Sequence, residues 1–540
     1  MKMNAPKMNS RMVMRIVAVV ILAGALGLQW WSKQHRAGNA DAGTDATSAP
    51  ASTLATPAKP VKPTPPATLK RGKLTLAACE LKRPHSAATL AAFCAKFPVS
   101  ENRADPNSRT IDLKLAILKS DSAVPAQDLV AYLAGGPGQS AIQTYPDLAP
   151  AFAPLRKHHD VLLLDQRGTG DSHPLKCPAL EKLLKNEGDA AQPGVEQRVQ
   201  WVGQCAQEVG KTADPRYYAT RDAVADLEAV REALGAPKLD LVGVSYGTRV
   251  AQHYAATHPG AVRSIVLDGV VPNSLVLGET FATALQHSLK LQAADCNKAP
   301  ACRQAFGDWY ATLHQLYAKL KAGQPQQVTF ADPYSYKPVT KALTADTLAG
   351  VVRLFSYSEV TAALLPLAVN EAARGNYAPL MGQAQLLTGD LSESIEGGMQ
   401  MSVICTEDAS LLTPRPQDED LLLGDDLIKA FIAECKVWPH DPMPKDFHAP
   451  FKSTIPTLLI SGERDPVTPP AFADEVVKDL VNGRSLVVKG LGHAEAINAG
   501  CMPDLVDDFV ANLQPKQLKT QCLDRIGPIP AFVNFNGAAP

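Results

Sequence analysis

Short apolar runs at residues 129–133, 161–164, 239–244, 264–267 and 457–460 punctuate the chain. Runs of this length and continuity suit strands buried on both faces of a parallel sheet. Ahead of them Ile111, Leu113, Leu115 and Ile117 alternate with other residues, the period of a half-buried strand. Between the second and third runs, Ala223, Val224, Leu227, Val230 and Leu234 mark one face of a helix that closes at Gly235 and Pro237. Repetition of strand, helix and strand predicts an α/β fold whose mostly parallel central sheet carries helices on both faces. From about 274 to 398 the strand signal fades, and Leu, Ala, Gln and Lys recur at helical spacing, as in an inserted helical cap. The alternation resumes near Ile455 and runs to about Leu513, so the cap divides the sheet in sequence.

The first forty residues hold six basic side chains and no acidic one, placed around an apolar run at 16–28. That order suits membrane targeting. The run is short for a bilayer span of roughly 20 residues, and Trp30 and Trp31 extend it with interfacial side chains. Residues 16–31 therefore fit either a cleaved signal peptide or an uncleaved anchor in the inner membrane. Residues 37–66 are Ala, Thr, Ser and Pro with almost no bulky apolar side chain, too little buried surface to offset chain entropy. The expected order is a signal or anchor at 1–36, a linker at 37–69, the first part of the α/β body at 70–273, the cap at 274–400 and the rest of the body at 401–540.

With 46% hydrophobic and 20% charged residues, the chain can build a sizeable core, which excludes disorder for most of it. A net charge of -1 and a pI near 6.9 leave no basic field for nucleic acid. Any partner must be argued from a site. The ten cysteines fall into sequence-local twos: Cys79 and Cys94, Cys177 and Cys205, Cys296 and Cys302, Cys405 and Cys435, Cys501 and Cys522. An even count behind an export signal favours disulfides and a periplasmic or extracellular location, although sequence alone leaves the connectivity open.

Gly243-Val244-Ser245-Tyr246-Gly247 follows an apolar strand and precedes a helix-like run. G-x-S-x-G in that setting is a nucleophile elbow, in which small neighbours let the serine occupy a strained turn with its hydroxyl exposed above the sheet. A serine hydroxyl needs a base, and the base needs a carboxylate to hold its tautomer. His493, in the Gly-punctuated loop after the apolar run at 485–488, is the candidate base. His440 and His448 read as loop surface, and His253 and His258 as packing or solvent-facing groups of the helix after the elbow. Asp465, in SGERDPVTP at 461–469, follows the last long strand and is the candidate acid; Glu463 and Asp268 are the alternatives. Backbone N–H groups of Tyr246 and Gly136, the latter favoured over Gly135, are candidate oxyanion donors. No metal motif such as H-E-x-x-H is present, and the chemistry calls for neither metal nor cofactor.

Four segments together resemble the proline iminopeptidase and tripeptidyl aminopeptidase branch of the α/β-hydrolases. They are AGGPGQS at 134–140, LLLDQRGTGDS at 162–172, GVSYG at 243–247, and GERDPVTPP from 462 with GLGHA ending at 494. The resemblance spans about 74 to 523 and implies the α/β-hydrolase fold with a cap over the site. It implies an exported aminopeptidase that releases residues or short peptides from a free amino terminus, and a C-terminal part like that of tripeptidyl aminopeptidases. Ala134 stands where the branch often has His, so nothing resting on that imidazole transfers. Asp165 and Arg167 match the family segment and read as loop-fixing ion-pair residues. The family meets the substrate amino group with acidic side chains from or near the cap, and Glu407 and Asp408 in VICTED at 403–408 are candidates. A carboxylesterase with the same triad is the alternative, since fold does not fix substrate. A non-catalytic envelope binding module is a third reading.

Overall fold

The computed structural model describes residues 67–82, 89–177 and 194–535. The expected targeting segment at 16–31 and the linker at 37–66 lie outside the described residues. Among those described, no helix is long and apolar enough to cross a membrane. The linker, expected to reach 69, gives way to a strand at Thr68.

The first four strands, β1 (Thr68–Arg71), β2 (Leu74–Lys82), β3 (Thr89–Ser100) and β4 (Thr110–Leu118), form an antiparallel meander. There follow β5 (Leu129–Leu133), β6 (Val161–Leu164), β7 (Leu239–Val244) and β8 (Val262–Asp268). Two strands, β9 (Gln326–Ala331) and β10 (Pro338–Leu343), pair only with each other, and β11 (Thr457–Gly462) and β12 (Gly483–Val488) complete the set. The ten-stranded sheet runs β1-β2-β3-β4-β6-β5-β7-β8-β11-β12. From β6 to β12 all pairings are parallel.

Side-chain alternation along these strands feeds two cores. Leu129, Ala131 and Leu133 of β5, with Leu239 and Leu241 of β7, pack against the helices Thr220–Ala233 and Tyr246–Thr257. Val130, Tyr132, Val242 and Val244 face the other side, against the helices Ala141–Arg156 and Met502–Asn512. Both faces are thus covered, which is why these strands read as unbroken apolar runs.

Between β8 and β11, helices from Phe281–Lys298 to Ala378–Ser394 build a third core of their own around Leu285, Trp309, Leu313, Phe355 and Leu365. The hairpin β9–β10 within it departs from the all-helical expectation. Only Val328 and Phe330 of β9 are buried, and its polar remainder hides the alternation. The next helix, Gly397–Glu407, packs into the body instead, through Met399, Met401, Val403 and Ile404.

All ten cysteines pair in the sequence-local order: Cys79–Cys94, Cys177–Cys205, Cys296–Cys302, Cys405–Cys435 and Cys501–Cys522. Five disulfides mark a protein suited to an oxidising compartment. Cys405–Cys435 closes a loop of separation 30 that ties the helix Gly397–Glu407 to the helix Asp426–Glu434. Replacing both of its cysteines with serine should lower stability by about 3 kcal/mol, measured by denaturant unfolding. An unchanged midpoint would show that the loop is held without the bond.

Candidate active site

Parallel register sets the site. Val244 of β7 pairs with Asp268 of β8, and Asp268 pairs with Ile460 of β11. The carboxyl ends of three strands therefore open level with one another, the crevice where ligands of open α/β sheets bind.

Ser245 follows β7 directly, at φ 52° and ψ -124°. A non-glycine residue held there costs about 1–3 kcal/mol. Its N–H donates to Asp268 O at 2.8 Å, and its carbonyl accepts from the Thr248 hydroxyl at 2.6 Å. The flanking glycines allow the turn: a Cβ on Gly247 would stand 2.1 Å from Leu133 O, and one on Gly243 would stand 2.6 Å from Gly247 O. Gly135 abuts the serine, since a Cβ there would lie 3.1 Å from Ser245 Cβ. Gly136, next in the loop, adopts φ 108°. Tyr246 opens the helix Tyr246–Thr257, so its N–H is among the first-turn donors that have no acceptor within the helix.

His493 Nε2 lies 3.0 Å from Ser245 Oγ, and its Nδ1 lies 2.8 Å from Asp465 Oδ2. Asp465 is fully anchored: Oδ1 accepts from the N–H groups of Val467 and Thr468, both at 2.8 Å, and Oδ2 accepts from the Thr468 hydroxyl at 2.7 Å. Thr468 Oγ1 also stands 3.1 Å from His493 Nδ1. Sequence reading missed Thr468, although it sits three residues beyond Asp465 in the same motif.

The alternative acids stand elsewhere. Glu463 accepts from Gly490 N–H at 2.9 Å, and Asp268 accepts from Ile497 N–H at 3.0 Å. Asp268 Oδ1 is buried with no hydrogen-bond partner among the described residues. Burial raises its carboxyl to about 7, against the opposing pull of the Ile497 N–H and of His493. Burial alone would pull His493 down, but the carboxylate of Asp465 and then that of Asp268 outweigh it and hold the imidazole above its usual 6.5. Burial likewise opposes charge on Asp465, and His493 with the Thr468 hydrogen bonds brings it below 3.8.

Glu407 and Asp408, expected at a substrate amino group, are 1% and 0% exposed beneath the site. Arg249, buried on the helix Tyr246–Thr257, approaches Asp408 at 3.1 Å and Glu407 at 3.5 Å. Glu407 also accepts from Thr220 N–H at 2.7 Å, and the Thr220 hydroxyl lies 2.7 Å from the Tyr246 hydroxyl. One guanidinium serves both carboxyls, burial pushes Glu407 up to about 7, and a substrate ammonium would have to displace Arg249 to meet them. His448, expected at the surface, is drawn in between the carbonyls of Asn273 and Glu407 at 2.8 and 2.9 Å. His253 stacks on Phe447, His440 bonds to Trp438 O, and His258 tilts against Tyr254.

The other family-like segment fixes loops. Arg167 makes a two-point contact with Asp226 at 2.6 and 2.7 Å, buried beside the carbonyls of Glu101 and Tyr217. Asp165, expected in an ion pair, has none among the described residues: it accepts from the Ser140 hydroxyl at 2.6 Å and from Ile142 N–H at 3.0 Å, tying β6 to the glycine loop after β5.

A family profile for the alpha/beta hydrolase fold matches residues 128–497. Serine protease Hip1 of Mycobacterium tuberculosis is 25% identical over 466 residues, covering 80% of this chain and 87% of that protein. The tripeptidyl aminopeptidase of Streptomyces lividans is 23% identical over 473 residues, covering 81% of this chain and 84% of its own. A proline iminopeptidase of Neisseria gonorrhoeae is 31% identical over 141 residues, or 26% of this chain and 32% of that one.

Because a base must be neutral to accept a proton, hydrolysis should fall on the acid side with an apparent pKa above the ordinary 6.5 of histidine. Asp268→Asn removes one of the charges that raise His493, so the limb should move to lower pH. A pH profile of kcat/KM checks both; an upward shift in the variant would contradict the electrostatics. Asp465→Asn should cut kcat by roughly 10⁴-fold through loss of the working tautomer, read in the same assay, and a loss under tenfold would move the acid role elsewhere.

Proposed function

We propose that this chain, which belongs to the α/β-hydrolase fold family, is a serine peptidase that removes residues or short peptides from free amino termini. The observation that carries the catalytic part is the unbroken line from Ser245 Oγ through His493 to Asp465, at 3.0 and 2.8 Å. The likeness to a serine protease and to a tripeptidyl aminopeptidase over 80% and 81% of this chain supports peptide as the substrate class.

In this reading Ser245 attacks the scissile carbonyl while His493 takes its proton. The oxyanion develops against the backbone N–H groups of Tyr246 and Gly136, on the glycine-loop side of the serine. His493 then protonates the departing amine, and water, activated by the same imidazole, releases the acyl group. Asp465 holds the Nδ1 proton and stabilises the imidazolium. Thr468 keeps that carboxylate in register, so the pair enters each cycle already oriented.

Glu407 contributes from below: through Thr220 it fixes the Tyr246 side chain, and so the donor next to the nucleophile. The five disulfides, together with the basic and apolar N-terminal segment, support export to the periplasm or beyond, with residues 16–31 as the means of attachment if they are retained.

The test pairs free-amino mono- and tripeptidyl anilides with short-chain acyl esters, each run with a Ser245→Ala control. Turnover of the free-amino anilides that vanishes in the control, and that drops when the amine is acetylated, is the expected result. Turnover of esters alone would replace the peptidase reading with an esterase.

A further inference from the structure

Arg353 stands apart among the arginines near the site. Arg167, Arg249, Arg415 and Arg464 each meet a carboxylate: Asp226, Asp408, Asp418 and Asp295 respectively. Among the described residues, none pairs with Arg353. Its guanidinium rests 4.2 Å from the centre of the Phe281 ring, and its one hydrogen bond among the described residues runs to the Tyr357 hydroxyl at a long 3.4 Å. A guanidinium carries five N–H donors, and stacking on an aromatic face leaves its edge free.

Its position gives that free edge a use. The Tyr357 ring meets the His493 imidazole edge-on, with centroids 5.2 Å apart. Arg353 thus lies one side chain beyond the base, on the cap helix Ala345–Phe355. Its charge is close enough to work against protonation of His493. The proton that His493 takes from Ser245 must pass to the leaving amine, so the leaving part of the substrate lies on the histidine side. The oxyanion donors lie on the other.

We propose that Arg353 recognises a carboxylate on the leaving part of the substrate, making the enzyme selective for short peptides that carry one close behind the scissile bond. This rests on the peptidase reading above. A short peptide supplies such a group at its own C-terminus, and an acidic side chain supplies the same chemistry. The bound anion also offsets the cation's penalty on the imidazolium in the transition state.

The experiment measures kcat/KM for four substrates sharing one acyl part. Their leaving groups are a dipeptide free acid, its neutral C-terminal amide, the same amide with a glutamate side chain, and an uncharged anilide. Each is assayed with the unmodified protein, Arg353→Gln and Arg353→Lys. The unmodified protein should favour the carboxylate-bearing substrates, and Arg353→Gln should lose roughly 10- to 100-fold on them. That loss should fall mainly in KM and be partly restored by Arg353→Lys, while the neutral amide and the anilide, relieved of the cation's penalty on the imidazolium, should hold or gain. Loss on the free acid alone assigns the C-terminal carboxylate, and loss on the glutamate amide assigns the side chain. An equal loss on all four would overturn the proposal and leave Arg353 as a prop for Phe281 and Tyr357. So would peptide turnover with no dependence on the carboxylate. Ester turnover without cleavage of any peptide would instead bring down the peptidase reading, and this assignment with it.

Discussion

Parallel pairing of β7, β8 and β11 is the constraint on which the rest depends. Because Val244, Asp268 and Ile460 stand level in the sheet, the loops that leave these strands emerge side by side. One residue later the backbone of β7 turns through the strained Ser245, pinned by its N–H to the carbonyl of Asp268. The loop after β11 carries Asp465, and the loop after β12 returns His493 between them. A shift of one residue in this register would turn the strands' side chains to the opposite faces and take the three loops out of reach of one another.

The segment inserted between β8 and β11 is tied directly to these loops. Ser288, from its first helix, donates to Arg464 O at 2.6 Å, next to Asp465. Tyr357 O accepts from His493 N–H at 2.7 Å, and Glu495 ties Gly492 N–H to Glu359 N–H at 3.2 and 3.1 Å. Glu396 N–H donates to Gly138 O at 2.9 Å in the glycine loop. Asp465, His493 and the glycine loop beside Ser245 each have a separate tie to the segment between β8 and β11. The placement of these three thus depends in part on the folding of that segment.

What the sequence disclosed follows from which forces act locally. The elbow was legible because its sterics demand glycine at Gly243 and Gly247, and the central strands because burial on both faces leaves continuous apolar runs. The sequence-local cysteine twos proved to be the bonded pairs. Glu407 and Asp408 read as available charges because Arg249, their partner, lies more than a hundred and fifty residues away and nothing local announces it. Tyr357 was invisible since it holds His493 through a main-chain carbonyl that any residue possesses. The hairpin β9–β10 was hidden by its solvent-facing polar residues, and the surface reading of His448 failed because two remote carbonyls draw it inward.

The most direct test is covalent labelling with a fluorophosphonate, followed by intact mass and peptide mapping, on the unmodified protein and on Ser245→Ala and His493→Ala. One equivalent on Ser245, absent from Ser245→Ala and slowed by orders of magnitude in His493→Ala, is the predicted result. Labelling at another residue, or equal rates in the unmodified protein and His493→Ala, would contradict a serine activated by this histidine.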